Sequence, residues 1–466
     1  MSLFTDIKQN KVMHYFEMLS KVPRGSYNSK GIADFLVDFA NSNGLRCYRD
    51  DTDNVVIYKD GTKTGEPVVL QGHTDIVCDS INNFDFENSP IKLIRKGDMV
   101  TADGTTLGAD NGIACAMMMA ILTDNNLLHP PIECVFTSDE EVGLLGATAL
   151  DCSKIKGKTM LNIDSECEGV FTAGCAGGAS ISASLNFDKC ENKKNTYKLS
   201  VTGLDGGHSG VDIDKNRCSA IKLAFDIVKR TGDCNIVSVN GGSKENAIPS
   251  VCEIVFASDN VDTGICDEFK SIVTNNYSDS DCNISIEQIN IAPYSMNDNH
   301  SKKLIDCVVE LPNGIRCMNA SIPTLVQTSS NIGVVATNDD NISLDISVRS
   351  SVTKEKSDIA DDIKNILQKY GFEVKIHGDY PSWEFIENSE LRDTAVKVFE
   401  NMYNKKPVID VIHAGLECGI FSDKIKNLDC ISYGPDLLDI HTVNERMSIS
   451  SVMRVYDFPV ELLKNL

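Results

Sequence analysis

Residues 108–143 read GADNGIACAMMMAILTDNNLLHPPIECVFTSDEEVG. The run from Asn111 to Leu128 is apolar enough for a helix buried on all sides. After two prolines, residues 132–138 (IECVFTS) form a short apolar run of strand length. Similar runs stand on either side: VVIYKD at 55–60, PVVLQGH at 67–73 and TMLNIDS at 159–165. Strands alternating with helices predict a largely parallel sheet covered by helices. Met117, Met118 and Met119 read as core filling, since Met packs irregular gaps. Directly after the strand at 132–138 stand three acids, Asp139, Glu140 and Glu141, whose mutual repulsion needs an explanation.

The same texture extends outward. Amphipathic helices are expected near Ile7–Leu19 and Lys30–Asn43. From about residue 184 amphipathic strands with interspersed helices take over, in two sets. One runs from TYKLSVTG to CNISIEQI and the other from SKKLIDCVVEL to FEVKIHGD. The α/β texture returns near Glu384 with ELRDTAVKVFENMY, NLDCISYGPDL and a final helix from Ser450. The expected fold class is α/β. A mainly parallel-stranded catalytic domain, residues 1–183 and 385–466, is split by an inserted α+β lid domain, residues 184–384, with two similar halves.

With 44 basic and 67 acidic residues the chain carries a formal charge of −23, which phosphate backbones repel, so nucleic acid is not an expected partner. No stretch is long and apolar enough for a transmembrane helix, and the start lacks the basic and apolar regions of a signal peptide, so no membrane partner and a cytoplasmic location are expected. The 17 cysteines show no C-x-x-C pair and read as buried thiols of a reducing compartment.

In an open parallel sheet, ligands bind beyond the carboxyl ends of the strands. His73 and Asp75 end one strand, Glu140 and Glu141 another, and Asp164 a third. His441 follows a fourth, and Asp110 precedes the apolar helix. Singly, each has a plainer reading. Asp110 suits a helix cap, Ser138 with Glu141 suits a capping box, and His73 suits a satisfied core histidine. Together they form an N/O ligand set for Zn²⁺ or Mn²⁺, in which one carboxylate can bridge two ions. Asp139 has no expected role beyond favouring a following helix start.

At these residues the sequence resembles the metallopeptidase family of dinuclear zinc aminoacylases, carboxypeptidases and dipeptidases. Within it the chain is most similar to the bacterial aminoacyl-histidine dipeptidase branch (peptidase D, Xaa-His dipeptidase). HTD, TADGTTLGADNGI, TSDEEVGLLGA, LNIDSE, TAGCAGG, GGHSGVDI, ENAIPS and HAGLECGIF carry the likeness. Where that family often has proline shortly after the last histidine, this chain reads HTVNE, with Val443.

The resemblance implies that Asp110 bridges two divalent ions (Zn²⁺, with Mn²⁺ or Co²⁺ as alternatives). His73 and Asp164 complete one ligand set, and Glu141 and His441 the other. Asp75 orients His73, Glu140 is the general base toward a metal-bridged water, and the Asp110–Asn111 peptide is cis. His208 stabilises the oxyanion from the lid. Arg349, Asn246, His413 and Glu417 are substrate-binding candidates. The implied reaction is hydrolysis of small dipeptides, Xaa-His including β-alanyl-histidine. A tripeptidase, an N-acyl-amino-acid deacylase and a non-catalytic peptide-binding protein stay open, as does a homodimer.

Overall fold

The computed structural model describes residues 3–7, 11–279, 281–320 and 322–466. The chain divides into two compact units: Met1–Cys175 with Phe385–Val411 and Leu416–Leu466, and Ala176–Glu384 with Ile412–Gly415.

In the first unit an eight-stranded sheet runs in the order Arg46–Arg49, Val55–Lys59, Ile132–Thr137, Val68–His73, Thr159–Asn162, Asp429–Ser432, Val170–Cys175, Val408–Ile412. Its four middle pairing partners are parallel. Val68–His73 lies between Ile132–Thr137 and Thr159–Asn162, and Asp429–Ser432 continues beside the last. Burial on both faces explains why these strands read as unbroken apolar runs.

The helix Ala109–Leu122 buries every residue but Asp110, Met117–Met119 included, and forms the centre of the core. It ends at Leu122, short of the expected Leu128, where Lys59 Nζ donates to the carbonyls of Ile121 (2.8 Å) and Asp124 (2.6 Å). Orphan carbonyls at a helix end are satisfied this way. Around it pack Lys11–Leu19, with Val12, Met13, Phe16 and Leu19 inward, and Ile449–Asn465. Residues 8–10 of the first expected helix lie outside the described residues. Lys30–Ser42 matches the second, with Ile32, Ala33, Leu36, Phe39 and Ala40 buried. A four-stranded sheet, Leu437–Leu438, Arg446–Ser448, Met99–Ala102 and Leu93–Lys96, completes the unit.

The second unit is built on a nine-stranded antiparallel sheet. Asn283–Ile289, Asn195–Thr202, Cys252–Ser258 and Asn235–Gly242 form one half. Val326–Asn338, Asn341–Ser350, Gly177–Asn186 and Glu373–Tyr380 form the other, and Gly314–Met318 pairs with Val326–Asn338. Within the sheet the halves pair through Asn240–Gly242 against Val334–Ala336. Helices Ala220–Thr231 and Thr353–Lys369 pack on the first and second half respectively.

The boundary falls at Cys175/Ala176 rather than at 183/184. Gly177–Asn186 pairs along its length with Asn341–Ser350 and also with Glu373–Tyr380, so it belongs to the second sheet. Ile412–Gly415 joins the second unit because Ala176 N–H donates to the carbonyls of Ile412 (3.0 Å) and Ala414 (3.1 Å).

Candidate active site

The parallel strands end flush: His73 pairs with Thr137, and Gln71 and Ser432 with Asn162. Whatever follows those positions is delivered to one edge of the sheet. His73 is the last residue of its strand and is buried. Glu140 and Glu141 follow Thr137 in a turn, and Asp164 stands two residues past Asn162. His441 sits in the hairpin between Leu437–Leu438 and Arg446–Ser448, which is anchored by Met447 pairing with Val100.

Asp110 does not cap its helix. Its backbone (φ −79°, ψ 108°) and that of Asn111 break the first turn, and the peptide between them is cis. The side chain therefore leaves the helix and meets both imidazoles. Oδ1 lies 3.2 Å from His73 Nε2, and Oδ2 lies 2.9 Å from His441 Nε2. Asp164 Oδ1 is 3.5 Å from His73 Nε2, and Glu141 Oε1 is 3.0 Å from His441 Nε2. The two groups share Asp110. Glu140 Oε2 approaches His73 Nε2 to 3.9 Å.

Several observations fit this set to cations. His73, Asp110 and Glu141 offer ligand atoms that lie within 4.8 Å of one another. Glu141 Oε1 is buried and makes no aligned hydrogen bond, despite the nearby imidazole. Burial, then neighbouring acids such as Asp164 and Glu141, pushes the Glu140 carboxyl far above its ordinary range. Burial does the same to Asp164, with Asp110 and Glu417 adding to it. Asp110 resists burial through its contacts with His441 and His73 and stays low. More negative charge is desolvated here than two imidazoles offset, and a buried charge needs a partner. The donors are nitrogen and oxygen only, as Zn²⁺ or Mn²⁺ accepts.

Asp75, fully buried, connects the acids to the imidazole. Oδ1 lies 3.3 Å from His73 Nδ1 and accepts from Glu140 N–H (2.9 Å). Oδ2 accepts from Glu141 N–H (3.3 Å) and Ser26 Oγ (2.8 Å). A contact to Nδ1 leaves Nε2 facing Asp110, the usual arrangement behind a liganding histidine. The capping-box reading of Ser138 and Glu141 is not realised. Ser138 Oγ donates to the Thr52 carbonyl (2.6 Å), and the helix that follows is only Leu145–Ala149, without a side-chain cap. Asp139 has a different role from the expected one: Oδ1 accepts from Tyr27 N–H (2.6 Å) and fastens that loop.

Glu417 is buried among the same acids. Its Oε2 accepts from Thr137 Oγ1 (2.7 Å) and Gln71 Nε2, while Oε1 has no partner. Burial pushes its carboxyl up to about 7. Two residues not singled out from sequence hold backbone here. Glu445 accepts four N–H groups of Leu107–Asp110, and Arg24 donates to the carbonyls of Thr74 and Gly108. The signal for Glu445 was its place in HTVNE, four residues after His441. Arg24 has none, since its partners are distant main-chain oxygens.

The remaining candidates lie in the second unit. Gly207–His208 pairs with Ala247–Ile248, and Ser209 N–H donates to the Asn246 carbonyl (2.9 Å), so His208 and Asn246 stand on one short ladder. Asn331 Nδ2 braces the second strand by donating to the carbonyls of Glu245 (2.9 Å) and Ala247 (2.8 Å). His208 Nδ1 accepts from the N–H groups of Gly210 (3.2 Å) and Val211 (3.1 Å), which puts the neutral ring's proton on Nε2. Arg349 Nη1 donates to Tyr380 Oη (3.0 Å), and its buried Nε is unpartnered. Arg349 faces Ser329 across the sheet, and Ser329 Oγ lies 2.7 Å from His413 Nε2. Burial, and then the Arg349 charge, pulls His413 down to about 4.

The model of peptidase family M20/M25/M40 matches residues 69–465. The cytosol non-specific dipeptidase of Escherichia coli (strain K12) is 32% identical over 486 residues, covering 100% of this chain and 99% of that protein. The crystal structure of aminoacylhistidine dipeptidase from Vibrio alginolyticus superposes with a TM-score of 0.88 at 31% identity, over 99% of this chain and 98% of that one. A tripeptidase from Staphylococcus aureus superposes with a TM-score of 0.59 at 18% identity, over 98% of each chain, a likeness of fold alone.

Proposed function

The chain belongs to peptidase family M20/M25/M40, and from that premise we propose that it is a cytosolic, di-metal dipeptidase acting on small dipeptides, Xaa-His and β-alanyl-histidine among them. One observation carries the two-cation reading: Asp110 presents one oxygen to each of two imidazoles, at 3.2 and 2.9 Å. The substrate class is supported by the full-length relatives, one named a non-specific dipeptidase and the other an aminoacylhistidine dipeptidase.

His73 and Asp164 would hold one divalent ion, His441 and Glu141 the other, with Asp110 between them; Zn²⁺ is proposed. When bound, such a pair supplies Lewis-acid polarisation of the scissile carbonyl and acidifies a water. Glu140 is the proton carrier. It takes the proton of the attacking water and returns it to the leaving amine. Asp75 keeps His73 and the main chain of Glu140 and Glu141 in register. The unpaired Oε1 of Glu417 suits a cationic substrate amine. In the second unit, Nε2–H of His208 suits an oxyanion, the fork of Arg349 suits a free carboxylate, and Asn246 and His413 are proposed as further substrate contacts. The second unit is proposed to act as a lid.

The test is a panel of β-alanyl-histidine, other dipeptides, a tripeptide and N-acetyl amino acids, with added Zn²⁺ or Mn²⁺. Turnover of dipeptides is expected. Activity confined to the acetylated compounds would replace the proposal with a deacylase, and activity confined to the tripeptide with a tripeptidase.

A further inference from the structure

Glu445 is 2% exposed, yet it is not among the residues that meet the expected cations. Its carboxylate lies under the loop that carries Asp110. Oε2 accepts from Leu107 N–H (2.8 Å) and Gly108 N–H (3.0 Å), and Oε1 from Ala109 N–H (2.8 Å) and Asp110 N–H (3.3 Å). Successive N–H groups turned to one side form a concavity for an anion, and here the anion is a side chain of the protein itself. Glu445 is in the same hairpin as His441, whose Nε2 reaches Asp110 Oδ2. The hairpin therefore touches the Asp110 loop twice, once through an imidazole and once through this carboxylate.

Arg24 holds the other side. Nη1 donates to the Thr74 carbonyl (2.8 Å), between His73 and Asp75, and Nη2 donates to the Gly108 carbonyl (2.6 Å). The loop is shaped around that guanidinium. A Cβ on Gly108 would stand 2.8 Å from Nη2, and one on Gly112 would collide with the same atom. Gly108 also has φ +68°. Gly108 therefore serves both the turn and the close approach, and Gly112 leaves room for the same guanidinium.

We propose that Glu445 and Arg24 are positioning residues that staple the bridging aspartate to its two imidazole partners. Arg24 ties the Asp110 loop to the His73 turn, and Glu445 ties it to the His441 hairpin. The bridge is thus set before any cation arrives. This rests on the two-cation reading above. His441 is 44% exposed at its side chain and stands outside the central sheet, so its half of the site depends on the Glu445 staple more than the His73 half does on any single contact.

The experiment counts Zn²⁺ per chain, and measures each step's affinity, by competition with a chromophoric chelator for wild type, Glu445→Gln and Glu445→Asp. Melting of the metal-free forms and kcat and KM are measured alongside. Glu445→Gln replaces one acceptor oxygen with a donor facing N–H groups. It is expected to leave the tighter Zn²⁺ step in place and weaken the other about 10–100-fold, as loss of a group behind a ligand does. Activity at limiting Zn²⁺ falls with KM unchanged, and excess Zn²⁺ restores it. Glu445→Asp, which keeps the charge, is intermediate and serves if the glutamine variant does not fold. Wild-type affinity for both ions in either folded variant, with only the melting temperature lowered, makes Glu445 merely structural and overturns the proposal. A wild type that binds fewer than two ions overturns the two-cation reading itself.

Discussion

The first unit crowds Asp110, Glu140, Glu141, Asp164 and Glu417 around two imidazoles, whereas the second holds Arg349 on its nine-stranded sheet, His208 on a separate two-stranded ladder and His413 beside Ser329. Both clusters contain desolvated groups with an unpartnered atom: Glu417 Oε1 in one, Arg349 Nε in the other. The sign differs. Buried carboxylates without partners call for cations, and a buried guanidinium nitrogen without a partner calls for an anion. A dipeptide hydrolase needs both, metal ions for the amide and a cation for the free carboxylate. On the proposed function, the bond-breaking step belongs to the first unit and carboxylate recognition to the second.

That division breaks most visibly at Glu140. Glu140→Gln is expected to lower kcat by about 10²–10⁴-fold while the chain keeps its ions, because only the proton carrier is lost. Steady-state kinetics with elemental analysis of the same sample checks it, and a near wild-type rate would return the chain to a binding role. Asp75→Asn comes next. It removes an acceptor that holds His73, Glu140 N–H and Glu141 N–H together, and metal affinity should fall about 10–100-fold in a chelator titration. On the other side of the comparison, Arg349→Lys keeps the charge but loses the fork. KM for dipeptides should rise about tenfold with kcat little changed, as when uniform binding is lost, and dipeptide amides should not notice the change.

The smallest effect is one of pH. His413 is pulled from 6.5 down to about 4 by burial and by Arg349. Between those values the unfolded chain binds a proton that the folded chain refuses. Its contribution to stability is therefore present above about 6.5 and is lost as pH falls toward 4. His413→Gln lacks that loss. Its melting temperature should gain on wild type by about a few degrees between pH 7 and pH 4, and a gap independent of pH would show that His413 is not held neutral.

The parallel strands are legible because each is a short apolar run, and His73, Asp75, Glu140, Glu141 and Asp164 are legible because they end such a run or follow it within a few residues. The second sheet's first strand is not. Gly177–Asn186 is mostly glycine, alanine and serine, too weakly apolar to announce itself, and only pairing with residues more than 150 positions away fixes its place. His413 falls inside the expected 385–466 segment of the first domain, whereas Ile412–Gly415 belongs to the second unit and His413 meets Ser329 there. Asp139, Arg24 and Glu445 were missed because what they hold is main chain, and main-chain partners leave no trace in residue types. The TSDEEVG acids show both outcomes. Glu140 and Glu141 could be divided by chemistry, but Asp139 acquired a purpose only with the Tyr27 loop folded beside it.

The most direct measurement is anomalous diffraction at the zinc edge from crystals of the Zn²⁺-loaded protein. Two peaks per chain are expected, roughly 3.5–4 Å apart, with one Asp110 oxygen on each. One peak beside His73 and Asp164 alone, or none at Asp110, would contradict the account.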